Sequence, residues 1–125
     1  MIHYLTTQIN CSLRVDLEDW KGHKKFAIYE NFQVKSESEG YELLISGYHS
    51  KTNMGDSLSQ HNGTLFSTYD VDNDNLPSAI WSGNCAERFH GAWWYKSCYQ
   101  SNLNGKYYKK GLVDAKMNDG ISWNS

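Results

Sequence analysis

One short polar stretch of this chain carries alternate carboxylates, in the order Asp70-Val71-Asp72-Asn73-Asp74. Calcium takes about 6 to 8 oxygen ligands, and loops that offer Asp carboxylates and carbonyl groups supply them. The stretch is therefore a candidate calcium loop. As an isolated pattern it would favour an acidic surface turn, because Asp and Asn are common in turns that bind no metal.

Other catalytic and metal-binding patterns do not occur in the sequence. An EF-hand counted from Asp70 is excluded, because Asn75 takes its glycine position and Trp81 its glutamate position. The five histidines form no zinc pattern such as H-E-x-x-H, and there is no G-x-S-x-G elbow. Glu37 and Glu39 lie in a polar stretch, where we expect a solvated turn rather than acid–base catalysis. We predict a protein without enzymatic activity.

Three cysteines raise the question of a disulfide. Cys85 and Cys98 enclose a short loop, and closing a loop of this size would stabilise the fold by about 3 kcal/mol. The alternative is a pair of buried free thiols in a reducing compartment. Cys11 is left over, either as a small hydrophobic residue on a strand or as a thiol that pairs with another chain.

Two triplets match the acceptor pattern for N-glycosylation. They begin at Asn10 and Asn62, and the second lies beside a glycine in an expected turn. We expect Asn62 to be the better candidate of the two. Either matters only if the chain passes through a secretory compartment.

Composition indicates a single globular domain. A chain of 125 residues is of ordinary domain size, and its net charge of −2 offers no basic surface for nucleic acid. No apolar run is long enough to span a membrane, and residues 1–6 lack the features of a signal peptide. We therefore expect neither a nucleic-acid partner nor a membrane partner.

The first half of the chain has the alternating pattern of half-buried antiparallel strands. The apolar residues of matching parity are Leu13, Val15 and Leu17; Phe26, Ile28, Phe32 and Val34; and Tyr41, Leu43 and Ile45. Gly22, the run 36–40 and Gly47 are the predicted turns. The second half is rich in Gly, Asn, Asp and Ser, so we expect loops ordered by a metal, a disulfide and an aromatic cluster.

Several motifs recur in the order and at nearly the spacing of one known family. They are Leu13-Arg14-Val15-Asp16-Leu17-Glu18-Asp19-Trp20, Gly55-Asp56-Ser57-Leu58-Ser59, the acidic stretch, Asn84-Cys85, Gly91-Ala92-Trp93-Trp94-Tyr95 and Asn102-Leu103-Asn104-Gly105. Together they resemble the fibrinogen-like domain of ficolins, tachylectins, tenascins and angiopoietins. The resemblance implies an α+β fold, mainly antiparallel sheet, over residues 1–125, with a strand-rich part at 1–60 and a loop-rich part at 61–125. It also implies that an upstream disulfide segment and a C-terminal strand of the domain are missing, and that the parent protein is secreted.

The same resemblance assigns the calcium ligands and the disulfide. Asp72 and Asp74 would bind Ca²⁺ through their side chains and Leu76 through its carbonyl, with Asp70 outside the ligand shell. The connection 75–84 is longer than is usual in the family, so a second carbonyl ligand cannot be placed. Cys85 and Cys98 would form the family's disulfide.

A ligand pocket next to the calcium loop is also implied by the resemblance. Its residues would be Phe89, Trp94, Ser97, Cys98, Tyr99, Met117 and Asn118, with a cis peptide bond between Ser97 and Cys98. Lectins of the family carry Tyr in place of Phe89, His in place of Tyr99, and an aromatic residue with Ala in place of the last two. The alternative is that these aromatic residues are simply packed core.

Two functions follow as expectations. The first is calcium-dependent, lectin-like binding of acetylated groups or glycans in innate recognition. The second is a protein-interaction module of the tenascin or angiopoietin kind. In either case we expect oligomerisation through regions outside this chain.

Overall fold

An antiparallel sheet of three strands organises the first half of the chain, in the order β1-β2-β3. The structure is a computed structural model that describes residues 1–75, 77, 83–109 and 119–124. Its elements are α1 (Ile2–Gln8), β1 (Cys11–Glu18), β2 (Lys24–Val34), β3 (Leu43–His49), α2 (Cys85–Arg88), β4 (Ser101–Asn102) and β5 (Ser122–Trp123), with short 3-10 turns at Glu37–Glu39 and Ser59–His61. The observed mixture of antiparallel strands, short helices and long loops confirms the predicted α+β fold.

Two of the predicted turns connect the strands of the sheet. Gly22 turns β1 into β2 with a φ of 85°, in the left-handed region that glycine adopts without strain. Gly40 ends the 3-10 turn between β2 and β3 with a φ of 67°. Both positions therefore have the residue type that their backbone conformation requires.

The alternation predicted for β2 is wrong in its first half. Ala27 and Tyr29 are fully buried, whereas Phe26 lies on the opposite face beneath the guanidinium of Arg14, 4.0 Å from the ring centroid. The reason is a bulge, because Leu13 pairs with Tyr29 while Cys11 pairs with Phe32. An extra residue in β2 reverses which face its side chains occupy. Ile28 therefore faces away from the core, while Phe32 and Val34 face it as predicted.

Two further predictions about β3 need correction. Gly47 is not in a turn but inside the strand, with a φ of 74°. A Cβ atom at this position would lie 2.8 Å from the Cβ of Glu30 on the neighbouring strand, so the close backbone approach also requires glycine. Tyr41 precedes the strand and is 41% exposed, whereas Leu43 and Ile45 are buried as predicted.

Helix α1, which the sequence did not predict, covers the end of β2. The hydroxyl of Thr6 accepts a hydrogen bond from the backbone N–H of Val34 at 3.0 Å, and the Nδ1 of His3 donates to the Val34 carbonyl at 2.8 Å. Both backbone groups of this last strand residue are thereby paired. No helix in the described ranges is long and apolar enough to cross a bilayer.

The core joins the sheet to the loop-rich half of the chain. Residues buried in it come from both halves: Val15, Ala27, Tyr29, Leu43, Ile45, Met54, Leu58, Cys85, Ala86, Trp93 and Tyr95. The hydroxyl of Tyr29 donates to Asp56 at 2.8 Å. Burial alone would raise the pKa of Asp56, but hydrogen bonds from Ser59, Tyr29 and Leu58 outweigh it and lower that pKa. The loops are therefore supported by a packed core and by a partly buried polar contact.

Candidate functional site

The acidic loop begins with a tight turn. The backbone N–H groups of Thr68 and Val71 each donate to the carbonyl of the other residue, at 2.9 and 3.2 Å. The Asp70 carboxylate accepts a hydrogen bond from the Thr68 hydroxyl at 2.6 Å, and Asp72 accepts one from the N–H of Asp74 at 3.2 Å. The loop is thus shaped by its own side chains, as expected for Asp in turns. It presents Asp72 exposed and Asp74 half-buried.

Asp74 connects this loop to helix α2. Its Oδ2 atom accepts a hydrogen bond from the backbone N–H of Cys85, the first residue of the helix, at 2.7 Å. A carboxylate is favourable here because the first N–H groups of a helix have no partner within the helix. The contact holds the Asp74 side chain in one orientation.

Asn84 makes a second connection between the same two elements. Its Oδ1 accepts from the N–H groups of Ala86 and Glu87, so it caps α2, and its Nδ2 donates to the carbonyls of Thr68 and Tyr69 at 3.2 and 3.0 Å. Sequence reasoning missed this role. The signal was present, because Asn before a helix with Glu three residues later is a capping pattern.

The disulfide between Cys85 and Cys98 is present, with an S–S distance of 2.04 Å and a Cα–Cα distance of 5.7 Å. It joins α2 to the loop of residues 94–101. The peptide bond between Ser97 and Cys98 is cis, as the resemblance implied. Cys11 is a free thiol at the start of β1 that contacts the Leu5 carbonyl at 3.5 Å.

His61 anchors both arms of the 94–101 loop. Its Nδ1 lies 2.7 Å from the carbonyl of Trp94, and its Nε2 accepts from the N–H groups of Gln100 and Ser101 at 3.0 and 3.3 Å. These contacts require a neutral imidazole with the proton on Nδ1. Burial lowers the pKa of His61 from its ordinary value of 6.5, although the hydrogen bond to Trp94 opposes this. Only tertiary structure reveals this residue, because a lone histidine in the sequence carries no such signal.

A cavity of about 270 Å³ lies against this loop. It is lined by Gln60, His61, Lys96, Ser97, Cys98, Tyr99 and Gln100. The structure therefore brings together three predicted ligand residues, Ser97, Cys98 and Tyr99. Phe89 does not line the cavity, but its ring packs edge-on against Tyr99, with 5.0 Å between centroids at an angle of 89°. The Tyr99 ring is thus supported from behind by Phe89.

Trp94 is not among the residues that line the cavity. Its indole N–H donates to the carbonyl of Tyr41 at 2.8 Å, and its ring contacts Phe66 and Trp93 at centroid distances of 5.3 and 5.1 Å. This packing ties the loop to the connection between β2 and β3. Of the other predicted site residues, Leu76, Met117 and Asn118 lie outside the described residues.

The acidic loop and the cavity are joined through the backbone. The N–H of Asn75 donates to the carbonyl of Lys96 at 2.9 Å, and the N–H of Lys96 donates to the carbonyl of Cys98 at 2.8 Å. The loop after Asp74 is therefore hydrogen-bonded directly to Lys96, a residue that lines the cavity. This is a physical route by which an ion in the loop could shape the pocket.

The donor set of the loop fits a hard cation better than a transition metal. Asp72 and Asp74 offer only carboxylate oxygens, which suit calcium or magnesium. Within the part of the chain that the structure describes, no group of three or more His, Cys, Asp and Glu side chains could hold a metal ion. A calcium site here would need carbonyl groups and water in addition to the two carboxylates.

Comparison with known proteins places the whole chain in one family. Residues 1–125 match the family described as fibrinogen beta and gamma chains, C-terminal globular domain. The chain is 47% identical over 124 residues to human ficolin-3, covering 99% of this chain and 39% of that protein. It is 43% identical over 129 residues to fibrinogen C domain-containing protein 1 of Xenopus tropicalis, covering 99% of this chain and 26% of that protein.

Solved structures give the same result. The fibrinogen-like globe domain of human ANGPTL6 matches with a TM-score of 0.88 and 41% identity, over 98% of this chain and 52% of that one. A lamprey fibrin D-dimer complexed with the peptide Gly-His-Arg-Pro-amide matches with a TM-score of 0.82 and 34% identity, over 98% of this chain and 42% of that one. The chain thus spans a quarter to a half of the length of these relatives. It belongs to the family of the fibrinogen C-terminal globular domain.

Proposed function

We propose that this domain is a secreted, calcium-dependent recognition domain that binds acetylated groups on glycans. The observation that carries the proposal is the cavity beside the disulfide, lined by Ser97, Cys98 and Tyr99. Its volume of about 270 Å³ suits a small substituent rather than an extended chain. A non-enzymatic role agrees with the absence of a catalytic motif from the sequence.

The chemistry of the cavity is compatible with an N-acetyl group. A methyl group needs an apolar wall, which the Tyr99 ring offers, and the amide needs nearby polar groups, which the Ser97–Cys98 backbone and the Gln60 side chain offer. Phe89 keeps the Tyr99 ring in place. Because such a ligand buries few atoms, we expect a dissociation constant on the order of millimolar, about 4 kcal/mol. Useful binding then depends on several copies acting together, through regions outside this chain.

Calcium is proposed to act on the pocket through the acidic loop. Asp72 and Asp74 would hold the ion with their carboxylates and Leu76 with its carbonyl. The bound ion would fix the loop, and the hydrogen bond from Asn75 to Lys96 would pass that order to the cavity. In this proposal calcium binds only the folded state. A free calcium concentration of about 100 times the dissociation constant then stabilises the domain by about 2.7 kcal/mol.

Secretion is part of the same proposal. A disulfide between Cys85 and Cys98 persists in an oxidising compartment. Asn10 and Asn62 are both exposed and are the proposed glycosylation sites. Intact-mass measurement of secreted protein before and after removal of N-linked glycans tests both sites.

The decisive experiment is a titration of the full-length parent protein with N-acetylglucosamine and with glucosamine in calcium. We expect binding only to the acetylated sugar, with loss in Tyr99→Ala and retention in Tyr99→His, which restores the polar group of the lectins. The double variant Asp72→Ala/Asp74→Ala should lose both sugar binding and the thermal stabilisation by calcium. An equal or absent response to the two sugars contradicts the acetyl pocket. An unchanged melting temperature between chelator and calcium contradicts the calcium site.

A protein-interaction role is the second candidate, and two observations favour it. The lamprey fibrin neighbour is complexed with a peptide, and this chain shares its fold at a TM-score of 0.82. Tyr99 in place of the lectins' histidine also removes a polar group from the pocket. A response to the peptide Gly-His-Arg-Pro-amide in the same titration, with none to the acetylated sugar, would favour this function.

A further inference from the structure

Two aromatic residues from distant parts of the sequence meet on the surface. Trp20, in the turn between β1 and β2, and Tyr107 have ring centroids 6.0 Å apart at an angle of 61°. Their exposed fractions are 51% and 68%. Aromatic rings that pack against each other and still face water are typical of ligand-contact surfaces, because they offer apolar area with little conformational freedom to lose.

These rings border a wide cleft of about 620 Å³. It is lined by Glu18, Asp19, Trp20, Lys21, Gly22 and Tyr107. None of these residues lines the cavity beside the disulfide. The cleft is therefore separate from the pocket that we propose for acetylated groups.

The turn that carries Trp20 is held by its own hydrogen bonds. The Asp19 carboxylate accepts from the backbone N–H groups of Lys21 and His23 at 2.8 and 2.9 Å, and also contacts the His23 ring at 2.8 Å. The N–H of Gly22 donates to the Asp19 carbonyl at 3.1 Å. Trp20 is therefore presented on a well-defined turn, while Asp19 is occupied in forming it.

Two charged side chains of opposite sign remain available at the rim. Neither Glu18 nor Lys21 makes a side-chain hydrogen bond or ion pair within the ranges that the structure describes. The Glu18 carboxylate can accept hydrogen bonds, and the Lys21 ammonium can donate them. The charges of Glu18 and Lys21 oppose each other, and Asp19, which contacts the His23 ring, adds a second carboxylate to the lining, so the rim does not favour an anionic ligand.

An aromatic platform with one charged acceptor and one charged donor matches the chemistry of a neutral sugar. A β-linked glucose ring has its hydroxyl groups around the edge and C–H groups on both faces. The faces suit the Trp20 ring, and the hydroxyl groups suit Glu18 and Lys21. We infer that Trp20 and Tyr107 form a second carbohydrate contact site, which takes a neutral hexose unit of a glycan stacked on Trp20.

The test uses cellotetraose, a neutral β-linked glucose oligomer without acetyl groups. The full chain and the full-length parent protein are titrated with it. The indole N–H signal of Trp20 is followed by NMR in the native protein, and the dissociation constants of the native protein and of each variant are measured by isothermal titration calorimetry. We expect that signal to shift on binding. Trp20→Ala should weaken binding about 10-fold or more, and Trp20→Phe about 3-fold, since the smaller ring keeps part of the stacking.

Tyr4→Ala is the matched control, because Tyr4 is also an exposed aromatic residue but lies on α1. We expect it to leave cellotetraose binding unchanged. Binding should also persist in chelator and in Asp72→Ala/Asp74→Ala, which separates this site from the calcium-dependent pocket. Failure of the N-acetylglucosamine titration would therefore leave this result unaffected.

Three outcomes would overturn the inference. The first is no shift of the Trp20 signal even at about 10 mM cellotetraose. The second is binding that survives both Trp20→Ala and Trp20→Phe unchanged. The third is a response to choline in place of the sugar, which would assign the aromatic pair to a cation instead.

Discussion

Replacing Asn84 with alanine should destabilise the loop-rich half of the domain more than its partly exposed position suggests. The side chain makes four contacts, accepting from Ala86 and Glu87 and donating to Thr68 and Tyr69. It therefore fixes both the start of α2 and the turn with which the acidic loop begins. Alanine removes all four contacts at once.

The expected loss of stability is the sum of two contributions, one from the Oδ1 acceptor of Asn84 and one from its Nδ2 donor. Loss of a helix cap costs about 1 kcal/mol, and each donated hydrogen bond contributes about 0.5 to 1.5 kcal/mol net. Because the site is partly exposed, we take the lower part of these ranges and expect a total loss of about 2 to 3 kcal/mol in the free energy of unfolding. For a domain of this size each 1 kcal/mol corresponds to about 3 to 5 °C in melting temperature.

Urea denaturation in calcium, followed by tryptophan fluorescence, measures the effect. Asn84→Asp separates these two contributions, because it keeps the oxygen that caps α2 and removes the N–H donor. We expect it to lower the free energy of unfolding by about 1 to 2 kcal/mol. Gln8→Ala, at an exposed amide side chain on α1, is the matched control and should change stability by less than about 0.5 kcal/mol. If Asn84→Ala is as stable as the control, the assigned role of Asn84 is wrong.

Two further predictions concern the loop of residues 94–101. His61 is neutral in the folded state, where burial lowers its pKa below 6.5. Its contribution to the free energy of unfolding is therefore complete above pH 6.5, the pKa in the unfolded chain, and is lost as the pH falls towards the lower pKa of the folded state. The free energy of unfolding should change by at most about 1.4 kcal/mol per pH unit in this range. Urea denaturation of the native chain between pH 5 and 7.5 should show this dependence, and His61→Gln should abolish it. Replacing both Cys85 and Cys98 with serine should lower the free energy of unfolding by about 3 kcal/mol. Hydrogen exchange should then increase more at the backbone amides of Tyr95 and Ser101 than at those of strands β1 to β3. Equal exchange in both halves of the double variant would argue against this order of opening.

The sequence by itself determined the features that depend on neighbouring residues or on a regular period. Alternation placed Val15, Leu43 and Ile45 in the core, because every second side chain of a strand faces the same side. The turn at Gly22 followed from local conformational preference. Family motifs supplied what physical reasoning alone left open, above all the pairing of Cys85 with Cys98.

Tertiary structure decided the features that depend on contacts between distant segments. The bulge in β2 changed which face Ala27 and Tyr29 occupy, and no pattern in the sequence marks an inserted residue in the pairing of two strands. His61 became an anchor only because folding brought it to the backbone of Gln100. Such contacts satisfy individual polar groups, and these have no periodic signature along the chain.

The pairing of Trp20 with Tyr107 has the same origin. In the sequence, Trp20 stands between Asp19 and Lys21 and Tyr107 between Lys106 and Tyr108, and nothing in these neighbours indicates that the two rings meet. Folding leaves both rings on the surface and places them together, because the turn after β1 and the segment after β4 meet there. Composition determines that a chain has aromatic residues to contribute, but only the packing of its elements decides which of them remain exposed to contact a ligand.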